Sequence, residues 1–111
     1  MSAERFSYTL GEGSIRERVI DQPERWNLLM AHVVLAPGEA IPSHPTDSEA
    51  FLMVVRGCLT LRVEGVDGLD GDQHPKGSIL FLPKGSAMAP RNAGPDTLEF
   101  FVLKTPHPAH A

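Results

Sequence analysis

Apolar residues fall along this chain in short bursts, each closed by glycine or proline, and the bursts carry the period of strands. From Trp26 to Ala36, Trp26, Leu28, Met30, His32 and Val34 share one face of an extended segment, and Asn27, Leu29, Ala31, Val33 and Leu35 share the other. Both faces are mostly apolar, so both are expected to be covered. Pro37-Gly38 ends the segment. Ala50 to Val55, Ile79 to Leu82 and Leu98 to Leu103 are also apolar on both faces, Glu99 excepted. Runs this short, bounded by turn residues, suit buried strands. Leu59, Leu61 and Val63 alternate instead with Cys58, Thr60, Arg62 and Glu64, the pattern of a strand with one buried and one wet face.

The other segments are more polar. Phe6, Tyr8 and Leu10 alternate and predict a short strand. Ile15 to Ile20 contains Arg16, Glu17 and Arg18 and fits either an edge strand or a single helical turn; charge at an edge discourages sheet-to-sheet aggregation. Gly65 to Asp72 reads as a loop. Its aspartates Asp67, Asp70 and Asp72 lack the spacing and the closing Glu of a calcium loop, so a plain hairpin connection is expected. Thr105 to Ala111 is a Pro/His tail expected to be loose.

Composition narrows the class. A chain of 111 residues is one domain and buries roughly two-thirds of its unfolded surface. Ten Gly and ten Pro, spread along the chain, punctuate many short segments and favour an all-β fold. The net charge of −4 comes without a basic block, which argues against nucleic-acid binding. No apolar run approaches the roughly 20 residues of a membrane helix, and no apolar stretch follows a basic start, so neither a membrane partner nor a secretory leader is expected. The single cysteine, Cys58, cannot form an internal disulfide and fits a reducing, cytoplasmic setting.

The most informative stretch is Gly77 to Asn92. Five residues separate Gly77 from Pro83, one separates Pro83 from Gly85, two separate Gly85 from Met88, and three separate Met88 from Asn92. Pro83 fixes φ ahead of the turn, and Gly85 supplies the positive φ of a type II turn. This spacing resembles the second motif of the cupin superfamily, G-x5-P-x-G-x2-H-x3-N, with Met88 in place of the histidine. The first cupin motif, G-x5-H-x-H-x3,4-E-x6-G, is matched in part between Gly38 and Gly57. His44 holds the first histidine position, Thr46 the second, and Ala50 the position of the glutamate, with Glu49 one residue early. In a regular strand Glu49 then points away from the pocket, and a bulge in the Pro45–Ser48 loop would restore it. An alternative register makes His44 the second histidine, four residues ahead of Glu49, with Pro42 in the first position.

The resemblance implies a small antiparallel β-barrel, a jelly roll or double-stranded β-helix, with its core at about 26–104, an N-terminal arm at 1–25 and a tail at 105–111. It implies a central pocket in which the family holds a divalent metal ion. Carried over position by position, only His44 survives of that ligand set, so the expectation is a degenerate site, either without metal or with one divalent ion held through His44 and Glu49. Thioether is a poor ligand for iron, manganese or nickel and suits Cu(I). His32 and His74 are conceivable replacements from a neighbouring strand and loop, and His107 and His110 a tail pair. The pocket is expected to be lined by His32, His44, Thr46, Phe51, Met53, Phe81, Met88 and Phe100, with Trp26 or Leu28 as further candidates. Such a mostly apolar cavity suits a small organic ligand. The competing reading is a metal-dependent oxygenase, isomerase or lyase acting at His44. Small cupins commonly form homodimers, and a second subunit or the N-terminal segment is expected to cover the outer apolar faces.

Overall fold

Two antiparallel sheets face each other across one core in a computed structural model that describes residues 1–9, 13–69 and 71–111. Nine strands are present among the described residues: β1 Ile15–Gln22, β2 Leu28–Leu35, β3 His44–Pro45, β4 Ala50–Arg56, β5 Cys58–Glu64, β6 Gln73–Pro75, β7 Ile79–Leu82, β8 Ala87–Arg91 and β9 Leu98–Lys104. The larger sheet runs β1-β2-β9-β4-β7 and the smaller β3-β8-β5-β6. Consecutive strands repeatedly change sheets, which is the jelly-roll arrangement expected from the motifs.

Strand parity decides what the barrel encloses. Alternate residues face opposite sides of a sheet. On β4, Ala50, Leu52 and Val54 are buried, whereas Phe51 and Met53 are each 41% exposed. On β7, Leu80 and Leu82 point inward and Ile79 and Phe81 outward. Leu59 and Leu61 of β5 and Leu98 and Phe100 of β9 close the core from the other strands. Each such side chain contributes about 1.5–3 kcal/mol by leaving water.

Turns and latches explain the framing residues of both motifs. Ser86 donates its backbone N–H to the Pro83 carbonyl at 3.1 Å, and Gly85 sits at φ +87°, the geometry expected of a type II turn. Gly57, at φ +76°, has no room for a side chain: a Cβ there would lie 2.4 Å from the Thr97 carbonyl oxygen. Asn92 is almost wholly buried. Its amide donates to the carbonyls of Leu35 (2.9 Å) and Asp96 (2.7 Å), and its Oδ1 accepts from Gly94 N (3.1 Å). It thus ties β8 to the end of β2 in the opposite sheet.

Of the two readings open for Ile15–Ile20 the edge strand holds: β1 lies at the sheet edge, with a bulge between Arg18 and Ile20. Three other segments differ from their expectations. β2 begins at Leu28 and not Trp26, because Asn27 adopts φ +51° in the preceding turn. Residues 6–9 form no strand; Leu10, which completes that alternation, lies outside the described residues, as does Asp70 of the acidic loop. The arm instead crosses the outer face of the larger sheet. Phe6 meets Trp26 edge-on at 5.2 Å, and Tyr8 meets His32 edge-on at 5.5 Å. The tail is pinned: buried His107 donates from Nε2 to Asp21 Oδ1 at 2.6 Å, and a short 3-10 turn follows at Pro108–His110. Hydrogen bonds from His107 and Arg18 hold the Asp21 carboxyl below its ordinary value.

Candidate functional site

The barrel is hollow where β1, β2 and β9 face β3 and β8. The cavity holds about 220 Å³. Its floor on the larger sheet is Leu29, Ala31 and Val33 of β2, with Phe100 and Val102 of β9. Register puts these side chains on one face: Ala31 pairs with Val102, and Val33 with Phe100. Met88 and Pro90 of β8 form the opposing wall, with Ile41 beside them. His44 and Met88 are directly paired across β3 and β8 and both line the space.

The mouth is charged. Arg16 and Arg18 of β1 pair with Val33 and Ala31, so they share the cavity side of the strand. Lys104 continues the inward face of β9 and donates from Nζ to Asp47 Oδ1 at 2.5 Å. Burial pushes the Asp47 carboxyl up, but the hydrogen bond and charge of Lys104 outweigh it and hold the group below its ordinary value. Arg18 pairs with Asp21 at 3.0 Å. Among the described residues Arg16 makes no ion pair. The Glu17 carboxylate, one position along, accepts from the Tyr8 hydroxyl at 2.9 Å.

Of the side chains expected in the pocket, His44, Met88 and Phe100 line it. Five do not. Phe51, Met53 and Phe81 occupy the outward parity of β4 and β7 and stand on the molecular surface. His32 also faces outward, yet is fully buried: Nε2 donates to Glu99 Oε2 at 2.7 Å, the ring stacks on Phe101 at 4.7 Å, and Tyr8 covers it. Thr46 is buried beside the cavity with its hydroxyl turned to the Ser48 carbonyl at 2.7 Å. Trp26 lies in the turn before β2 and packs against the arm. Leu28 precedes Leu29 and so takes the outward parity of β2.

A divalent ion does not fit this donor set. Glu49, the second expected ligand, points away: its Oε2 accepts from Lys84 N at 3.3 Å, because inward Ala50 puts its neighbour on the other side. Thr46 is committed to Ser48, and Asp47 to Lys104. His74 faces inward from β6, at the sheet edge remote from β3, and its buried Nε2 has no hydrogen-bond partner. No group of three or more His, Cys, Asp or Glu side chains among the described residues could hold a metal ion. His107 and His110 pair separately, with Asp21 and with Glu24.

One imidazole remains at the cavity. The Pro42 carbonyl can only accept, so His44 Nδ1 donates to it, at 2.9 Å. In the neutral ring that bond leaves a lone pair on Nε2.

Sequence reasoning missed Arg16, Arg18 and Lys104. The signal was present: two arginines two residues apart lie on one face of a strand, and Phe100 inward implies Lys104 inward.

No protein-family model matches the chain. Its backbone superposes on that of an RmlC-like cupin family protein with a double-stranded β-helix fold from Methanocaldococcus jannaschii, with a TM-score of 0.81 and 27% identity, over 99% of this chain and 96% of that one. The chain belongs to the cupin superfamily. In sequence, that same Methanocaldococcus jannaschii protein, MJ0764, described as uncharacterised, is 38% identical over 81 residues, 69% of this cupin; the match spans 64% of that relative, just under two-thirds of its length. A cupin 2 conserved barrel domain protein from Salinispora arenicola shares the fold at 17% identity (TM-score 0.66, over 87% of this chain and 79% of that one). So does a predicted oxalate decarboxylase from Thermotoga maritima at 24% identity (TM-score 0.57, over 68% and 63%). Among the described residues no helix is long and apolar enough to cross a membrane.

Proposed function

We propose that this cupin binds a small organic molecule in its barrel and does so without a tightly held metal ion. The observation that carries the reading is the contrast between a cavity of about 220 Å³ with an apolar floor and a metal-donor set reduced to one imidazole. A lone histidine is a weak metal site, whereas a concave apolar space with a few polar groups at its rim is what small-molecule sites share. Metal analysis of protein prepared without an affinity tag tests it. Well below one equivalent of iron, nickel, manganese or zinc is expected. Near-stoichiometric metal that disappears in His44→Ala overturns the reading.

A second reading, an enzyme acting through His44, draws support from the Nδ1 bond to Pro42, which presents Nε2 as a base. It predicts turnover that is lost in His44→Ala while ligand binding persists.

We also propose that two copies associate through the outer face of β4 and β7. Phe51, Met53, Val55, Ile79 and Phe81 are exposed there, Ile79 by 66%, and the Phe51 and Phe81 rings lie 5.2 Å apart. The N-terminal arm covers β2 on the same face, over His32. Contiguous exposed apolar surface of this kind marks interaction sites, and a self-complementary patch is what a two-fold dimer uses. Light scattering should give twice the chain mass for the wild type and a single mass for Phe81→Glu; a monomeric wild type at micromolar concentration rejects the dimer.

A further inference from the structure

The ligand-binding reading leaves the ligand's chemistry open, and the mouth of the cavity narrows it. Three cationic side chains reach that mouth, Arg16, Arg18 and Lys104. Two have carboxylate partners, Asp21 for Arg18 and Asp47 for Lys104. Arg16 has none among the described residues; the Glu17 carboxylate beside it takes the opposite parity of β1, paired with outward His32, and accepts from Tyr8 on that outer face. Among the described residues the site therefore presents one guanidinium without a carboxylate partner above an apolar floor. A guanidinium is a planar fork that meets a carboxylate with two parallel hydrogen bonds. Beneath it, Ala31, Val33, Met88 and Phe100 offer no polar group, so the rest of the ligand has to be apolar. The volume, about 220 Å³, is below the roughly 300–1,000 Å³ of drug-sized sites and equals about seven waters at ~30 Å³ each.

We infer that the cavity takes a small monocarboxylate with an apolar body, its carboxylate on Arg16 at the mouth and its body against Met88 and Phe100. The inference rests on the ligand-binding reading above. One negative charge matches the one cation at the mouth that has no carboxylate partner among the described residues. A doubly charged phosphate would overshoot it and would leave the apolar floor empty.

The test uses benzoate and hexanoate, their neutral amides, and inorganic phosphate, titrated into the full chain with labelled methionine methyl groups. The Met88 methyl, assigned through Met88→Leu, reports occupancy of the cavity independently of affinity. The carboxylates are expected to shift that resonance saturably and to bind about tenfold more tightly than their amides, as charge-assisted pairing implies. Arg16→Gln is expected to abolish that preference, bringing acid and amide to similar affinities while both still shift the Met88 methyl; Arg16 is exposed on an edge strand, and an unchanged urea midpoint checks that the variant folds. Amides that bind as tightly as the acids, a preference that survives Arg16→Gln, or phosphate binding more tightly than benzoate each overturn the inference and leave the cavity reading intact. A Met88 methyl that no probe moves sinks the cavity reading itself.

Discussion

Under β4, β5 and β7 the barrel interior is filled by Leu52, Val54, Leu59, Leu61, Leu80 and Leu82; under β1, β2 and β8 it is lined by Ala31, Val33, Met88 and Pro90 and left hollow. The two halves share one pair of sheets and one central strand, β9, whose Leu98 lies in the filled half and whose Phe100 and Val102 border the hollow one. What differs is side-chain volume. Leucines from facing strands meet and exclude space; alanine, proline and valine do not reach far enough to meet. Stability is thus concentrated in one half, and the space that a ligand can occupy in the other, where charge at the mouth would disrupt a packed core.

The largest expected effect lies in the filled half. Leu52 is wholly buried, and Leu52→Ala should cost about 2–5 kcal/mol, read from urea unfolding with an unchanged slope. A loss below about 1 kcal/mol would mean that this half is no better packed than the other. The hollow half should respond in the opposite way. Ala31→Leu adds volume where space exists, so its effect on stability should stay under about 1.5 kcal/mol of either sign. It should nevertheless remove the Met88 methyl response to benzoate by occupying the floor. A destabilisation of Ala31→Leu equal to that of Leu52→Ala would show that the cavity is not available space.

The same comparison explains what could be read from sequence. Turn chemistry was legible because it is local: Pro83, Gly85 and Gly57 act through backbone conformation, and Asn92 through a fixed offset from the turn. His44 and Met88 were legible as a facing pair because motif spacing sets their register. The parity of β4 and β7 was not. Phe51 and Leu52 are equally apolar, so periodicity cannot say which faces inward, and the partly exposed outer face looks like core. Glu49 carried the one local clue, since a charge at the start of β4 marks the outward parity that Phe51 and Met53 do not share with it by sequence appearance but do by position. His32 was misplaced for a related reason. Its burial comes from Tyr8, 24 residues away, a contact that no strand pattern encodes. Arg16 and Arg18 were read as edge protection because the cavity they border is made by strands distant in sequence.

The smallest effect concerns the Asp47–Lys104 contact. Because the Asp47 carboxyl is held below its ordinary value, folding favours its ionised form. Its contribution to stability is therefore full above the unfolded carboxylate range, near pH 4, and is lost as pH falls through the lower folded value. The Asp47 side chain is 62% exposed, so water and salt screen the pair, and Asp47→Asn should cost no more than a few tenths of a kcal/mol near neutral pH. Its effect on the hollow half should be larger than its effect on the fold. Removing the carboxylate releases the Lys104 ammonium, whose side chain is only 15% exposed, as a second cation at the mouth without a carboxylate partner among the described residues. Benzoate should then bind several-fold more tightly at low ionic strength, with the gain fading as salt is added. Weaker benzoate binding in Asp47→Asn would mean that the carboxylate orders Lys104 for the ligand, and that the mouth works by geometry and not by its excess of positive charge.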